Sequence, residues 1–218
     1  KHVSFDFWGT IANPNPEFYA ERAKYMSEIS GKSEEFVLET IQRLKLEYEE
    51  LGKKHLVGVP AVTQTLMLLK ALGFEYYAPG LLIRVTQALT SLFFKHPPIL
   101  ILDLNTLYSL FSNEITCSVT CNAGFISGPL VKNWMRRHLW LANVFNYFIF
   151  SDEFDNLFKP NPLICDKIME NFKLSDPNEI LHVGDDDSTD GELCNITGMQ
   201  YFKVVGNNYS DILNYVQG

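Results

Sequence analysis

An apolar run, His2 to Phe7, begins the pattern and reads as a short buried strand. Gly9-Thr10 follows, and Asn13-Pro14-Asn15-Pro16 then breaks the chain. Beyond the prolines the spacing becomes helical. Phe18, Arg22, Tyr25, Met26 and Ile29 are mostly apolar at helical intervals. Val37, Ile41, Leu44, Tyr48 and Leu51 repeat at four and three, which makes a narrow apolar seam. Ser33 stands where an N-cap belongs, with Glu34 and Glu35 in the first turn. A third helix is predicted over Pro60 to Leu72, with proline at its start and Gly73 past its end. A fourth is predicted over Pro79 to Phe94, before the second breaker, His96-Pro97-Pro98. Residues 15–95 thus read as a block of helices with no strand signal, enclosed by proline hinges.

After the second hinge the period alternates. Ile115 to Cys121, Phe145 to Phe150, Glu179 to Val183 and Met199 to Val205 are strand candidates, separated by helical stretches over 131–142, 161–172 and 188–196. This alternation predicts an α/β fold, a parallel sheet with helices on both faces. Residues 1–14 supply one strand of that core and 96–218 the rest, so 15–95 is an insertion after the first strand.

Composition narrows the function without deciding it. Of 218 residues, 46% are hydrophobic and 20% charged, as in an ordinary globular protein. The net charge is −8, and the longest Lys/Arg clusters are the pairs Lys53-Lys54 and Arg136-Arg137, which argues against nucleic acid as a partner. An anionic substrate would need local help from a metal, a lysine or backbone amides. Cys117, Cys121, Cys165 and Cys194 are scattered, and His182 is alone in an apolar run, so zinc spacings are absent. Buried free thiols in a reducing cytoplasm are expected. No apolar run approaches the ~18 residues of a transmembrane helix, and the chain starts on a strand-like segment rather than a signal peptide.

In open parallel sheets, sites form at the carboxyl ends of strands near the topological switch point. The first strand ends Phe5-Asp6-Phe7-Trp8-Gly9-Thr10, and the second ends Cys121-Asn122-Ala123-Gly124. The third ends Ser151-Asp152-Glu153 and leads to Lys159-Pro160. The fourth ends in Gly184-Asp185, followed by Asp186, Asp187, Ser188, Thr189 and Asp190. An EF-hand reading of the last run from Asp186 fails, because Thr197 stands where a bidentate Glu is needed.

An Asp with Thr four residues on, an Asn after the second strand, a Lys-Pro, and Gly-Asp-x4-Asp, in this order, resemble the four signature motifs of the haloacid dehalogenase superfamily. Each is weak singly; together on strand tips they are specific, and the likeness spans essentially the whole chain. The resemblance implies a Rossmann-like core with a helical cap at 15–95. It implies a magnesium-dependent hydrolase acting on a small phosphorylated substrate. Asp6 resembles the nucleophile that forms an aspartyl-phosphate. Asp6, Asp185, Asp190 and the Trp8 carbonyl resemble the magnesium site, whose hard oxygens suit that ion. Lys159 would pair with Asp6 and the phosphate. Thr10, Cys121, Asn122 and Ala123 would complete the phosphate-binding set, with Asn122 and backbone amides on the phosphate oxygens.

Two positions depart from the superfamily pattern. Its phosphatases carry a second Asp, the general acid and base, where this chain has Trp8. Indole exchanges no proton near pH 7, and a missing general acid costs ~10²–10⁴-fold. Cys121 replaces the usual Ser or Thr and reads as a buried strand cysteine. A substrate with a good leaving group, a proton donor from the cap, or a binding protein without turnover would each accommodate these changes. Dehalogenases and phosphonatases of the superfamily also lack the second Asp. The dehalogenases use no magnesium and lack the acidic fourth motif; a phosphonatase would need a cap lysine, such as Lys53 or Lys54. Asp186 and Asp187 stay open between ligand and solvated residue, with Asp186 favoured. His182 is read as a core residue and the apolar seam as the core of the cap.

Overall fold

The computed structural model describes residues 1–218 apart from 75–78, 114, 154, 207 and 218. In chain order the elements are β1 (His2–Phe5), β2 (Ala12–Asn13), α1 (Pro16–Ser30), α2 (Glu34–His55), α3 (Ala61–Ala71), α4 (Pro79–Lys95), β3 (Ile99–Leu100), α5 (Leu104–Ser112), β4 (Thr116–Cys121), α6 (Gly128–Arg137), α7 (Leu139–Val144), β5 (Phe145–Phe150), α8 (Leu163–Phe172), β6 (Ile180–Gly184), α9 (Glu192–Thr197), β7 (Gln200–Lys203) and α10 (Asp211–Gln217).

Five strands form one parallel sheet in the order β5-β4-β1-β6-β7. β1 lies in the middle, and every residue of it is buried, as a strand covered on both faces requires. The connections run outward from β1 to β4 and β5 on one side and to β6 and β7 on the other. The switch point therefore lies at the tips of β1, β4 and β6. One apolar core packs Val3, Phe5, Val119 and Val183 with α5, α6 and α10. A second gathers Ile164, Ile168, Ile180 and Leu193 with α8 and α9.

The helices α1–α4 enclose an apolar cluster of their own, with Met26, Val37, Ile41, Leu44, Leu68 and Val85 at its centre. The proline punctuation does what its chemistry suggests. Asn15 caps α1 by accepting from the Glu17 N–H, Pro16 takes the first turn, and Gly31 ends the helix at φ 68. Ser33 caps α2 by accepting from the Phe36 N–H at 3.2 Å. The chain leaves the sheet at β2 and returns at β3, and these two pair antiparallel, Ala12 opposite Leu100. Both connections to the helical block thus lie side by side.

Several boundaries differ from the sequence expectation. The first strand stops at Phe5, although the Asp6 N–H still donates to the Val183 carbonyl at 2.8 Å. The seam of α2 ends on buried Gly52 rather than on Leu51, which is exposed. A straight helix drifts against a 3.5-residue repeat, so the inward face moves on by one position. The 131–142 stretch divides into α6 and α7 at His138. The 188–196 helix begins instead with a wide, π-type turn over Asp187–Gly191, before α9. The helix α5 falls where no element was expected. Its exposed Leu104, Tyr108 and Phe111 blur the polar face that would have marked it. Among the described residues, no helix is long and apolar enough to cross a membrane.

Candidate active site

Three strand tips converge at the switch point. Asp6 directly follows β1, Asn122 follows β4, and Asp185 follows β6, with Asp190 one wide turn further on. Asp6, Asp185 and Asp190 each offer a carboxylate oxygen, and these lie within 4.8 Å of one another. The Lys159 ammonium sits in the same cluster, 2.6 Å from Asp6 Oδ1 and 2.6 Å from Asp190 Oδ1. All four residues line a cavity of about 460 Å³, ample for a small metabolite.

Close backbone approach makes this cluster possible. Gly9 adopts φ +79, and a Cβ there would stand 2.2 Å from Asp185 Oδ2. At Gly184 a Cβ would stand 2.3 Å from the Asp190 carboxylate. Any side chain at either place would displace an acid.

One ammonium cannot neutralise two buried carboxylates, so the acids titrate apart. Burial drives Asp6 up to about 7, against the pull of Lys159 and with the push of Asp190. Burial also opposes ionisation of Asp190, but Lys159 and His182 outweigh it and hold Asp190 well below the usual carboxylate range. Burial opposes the charge on Lys159 as well, and the two carboxylates overcome it, so Lys159 stays protonated. Burial, then the Asp190 charge, raises Asp185. Three acids against one cation leave the cluster short of positive charge. Hard, crowded oxygen donors with a charge deficit fit a divalent cation such as magnesium.

His182 belongs to this site, although its apolar surroundings in sequence suggested only packing. Its Nε2 lies 3.0 Å from Asp190 Oδ1 and its Nδ1 3.1 Å from Ser4 Oγ. Burial keeps the imidazole neutral. An ionised carboxylate only accepts, so Nε2 carries the proton and Nδ1 accepts from the Ser4 hydroxyl. Ser4 in turn lies 3.0 Å from Thr120 Oγ1. A line of hydroxyls thus crosses the buried strands and ends on Asp190, fixing its orientation. The signal was present in sequence: His182 stands eight residues before Asp190, in the strand that carries Asp185.

Of the expected phosphate-binding residues, Asn122, Ala123 and Lys159 line the cavity. Thr10 and Cys121 are buried and do not line the cavity. The Thr10 hydroxyl has no hydrogen-bond partner, while its carbonyl accepts from Tyr209 Oη at 2.8 Å. Burial pushes the Cys121 thiol well above its ordinary range, which disqualifies it as a nucleophile. Asn122 does line the cavity, but its side chain is spent on the Lys159 backbone. It accepts from the Lys159 N–H at 2.7 Å and donates to the Lys159 carbonyl at 3.2 Å. Asn122 is therefore a positioning residue for Lys159. The Ala123 N–H donates to Ser151 Oγ at 2.8 Å. The Asn122 side chain and the Ala123 N–H are thus spent within the protein, and Lys159 stands at the cavity among the acids.

The residues left open by the sequence take these places. Asp186 lines the cavity and caps its own turn by accepting from the Ser188 N–H. Asp187 faces β7, pairing with Lys203 and accepting from Tyr201 Oη. Lys53 lines the cavity and donates to Ser188 Oγ at 2.8 Å, whereas Lys54 does not line it. Trp8 lines the cavity beside Asp6, its ring edge-on to Phe7. From the helical block, Arg22, Tyr48 and Gln64 also reach the cavity wall.

The fold resembles those of solved haloacid dehalogenases and HAD phosphatases. The chain is similar to 2-haloacid dehalogenase from Pseudomonas syringae pv. Tomato, with TM-score 0.66 and 16% identity, covering 100% of this chain and 98% of that one. It is similar to a HAD phosphatase from Thermococcus onnurineus, with TM-score 0.60 and 21% identity, covering 95% and 87%. It is also similar to L-2-haloacid dehalogenase from Xanthobacter autotrophicus, with TM-score 0.62 and 18% identity, covering 94% and 77%. No protein-family model and no curated protein sequence matches the chain.

Proposed function

We propose that this chain is a magnesium-dependent phosphohydrolase of small phosphorylated metabolites, acting through Asp6. The observation that carries the reading is the cluster of Asp6, Asp185 and Asp190 around Lys159 on the wall of a metabolite-sized cavity. Asp185, Asp190, Asp6 and the Trp8 carbonyl would hold magnesium, which supplies positive charge against the phosphate. Asp6 attacks phosphorus with its free oxygen, and the ester P–O bond breaks. The leaving oxygen departs with its electron pair, and water then hydrolyses the aspartyl-phosphate. Lys159 holds Asp6 in line and offsets charge on the phosphoryl oxygens. Residues 15–95 act as the cap, closing to exclude water. Four free, buried cysteines suit a reducing cytoplasm.

Trp8 favours substrates whose leaving group needs little help from a proton donor, such as acyl phosphates. A dehalogenase would also lack the second Asp, but such a site has no use for three clustered acids. The test is phosphate release from a panel of phosphorylated metabolites, with and without magnesium. Turnover should vanish on chelation and fall by at least about 10³-fold in Asp6→Asn. Phosphate release that survives Asp6→Asn would overturn the reading.

A further inference from the structure

Arg22 is 4% exposed, and its Nε–H is buried without a hydrogen-bond partner. Among the described residues no carboxylate pairs with it. Its guanidinium instead lies among three rings, 5.5 Å from the centroid of Phe18, 4.9 Å from Tyr19 and 5.5 Å from Phe125. Ring faces attract the cation but accept nothing from its N–H edges. Tyr48 presents the same anomaly from α2. Its hydroxyl is buried and unpartnered, and its ring meets Phe125 at 6.1 Å. Arg22 and Tyr48 thus flank one phenylalanine, both line the cavity, and both hold unspent donors. Buried polar groups in a folded protein are normally satisfied. Two unsatisfied donors beside one ring, in a cavity wall, point to a ligand that accepts from both.

We infer that Arg22 and Tyr48 form a receptor for a carboxylate on the substrate, so that the molecule hydrolysed is a phosphorylated carboxylic acid. The inference rests on the phosphohydrolase reading for the phosphate end and on this pair for the other end. A planar carboxylate matches the guanidinium fork, and its single charge matches the single cation. Burial lowers Arg22 only to about 10, and burial raises Tyr48 to about 12. At neutral pH the first is therefore a cation and the second a hydroxyl donor.

The test compares 3-phosphoglycerate with glycerol 3-phosphate, which has CH₂OH in place of the carboxylate. With magnesium, kcat/KM should favour 3-phosphoglycerate by about 10- to 100-fold, the effect of a charge-assisted contact. Arg22→Met should bring this ratio close to one, Arg22→Lys should restore part of it, and Tyr48→Phe should lower it by a smaller factor. Arg22→Met should also melt no lower than the native protein, because it removes a buried cation without a counter-ion; a purely structural arginine would lower Tm. Glycerate binding, followed by ligand-observed NMR, separates the two readings. Glycerate binding lost in Arg22→Met, with phosphate released from neither substrate, keeps the carboxylate receptor and removes the phosphohydrolase. Equal turnover of both substrates, with glycerate binding indifferent to Arg22, removes the receptor and keeps the phosphohydrolase.

Discussion

The two walls of the cavity are built on opposite principles. On the sheet side, Asp6, Asp190, Lys159, His182 and Asn122 are tied together by hydrogen bonds and ion pairs, and glycines at 9 and 184 let the acids crowd. On the helical side Arg22 and Tyr48 sit against aromatic rings, and their polar groups remain unspent. A network that satisfies itself holds reacting groups at fixed places before any ligand arrives. A wall with unspent donors has its free energy of contact in reserve for a ligand. Under the proposed function, the difference would assign chemistry to the sheet side and recognition to the helical side, with Lys53 on Ser188 as a contact between them.

The comparison breaks most visibly at Lys159. Lys159→Met strips the buried cation from two acids and should cost about 3–5 kcal/mol in chemical denaturation. Arg22→Met removes a buried cation from the other wall and should cost nothing. If both variants melt alike, the walls do not differ as described.

Trp8 sharpens the contrast by restoring what the sheet side lacks. Trp8→Asp should raise phosphate release from alkyl phosphates by about 10²-fold, the low end of what a general acid supplies. Rates for acyl phosphates should change far less. A uniform change across both substrates would argue against a missing proton donor.

Gly9 tests whether crowding sets the acid cluster. Gly9→Ala places a Cβ against Asp185 and strains a positive φ, which should cost about 1–3 kcal/mol. The proposed site predicts a rise in Tm with millimolar magnesium for the native protein, and Gly9→Ala should abolish it. Retention of that rise would show that Asp185 is free to move.

A pH-dependent contrast concerns the outer end of the polar strands. His2 lies 2.9 Å from Thr116 Oγ1 and 2.8 Å from Ser118 Oγ, and burial lowers its pKa from 6.5 to about 3. The unfolded chain therefore takes up the proton first. Stability is complete above pH 6.5 and declines as pH falls towards 3. His2→Asn should flatten that decline in urea titrations across this window. An unchanged slope would mean that His2 is not held neutral.

Alternation of apolar runs and helical stretches was enough to predict a parallel α/β sheet, because strands buried on both faces read as continuous apolar runs. Ser33 likewise caps α2 through its near neighbour Phe36, so local sequence suffices for it. What only the tertiary structure decided is which donors are spent. Asn122 binds Lys159, 37 residues away; the Ala123 N–H goes to Ser151; and His182 reaches Asp190 across a strand tip. Nothing in the residue types distinguishes a satisfied amide from a free one. Arg22 and Tyr48 sat unremarked in helical patterns, because an unpaired donor is defined by what folding brings near it, and here folding brought only rings.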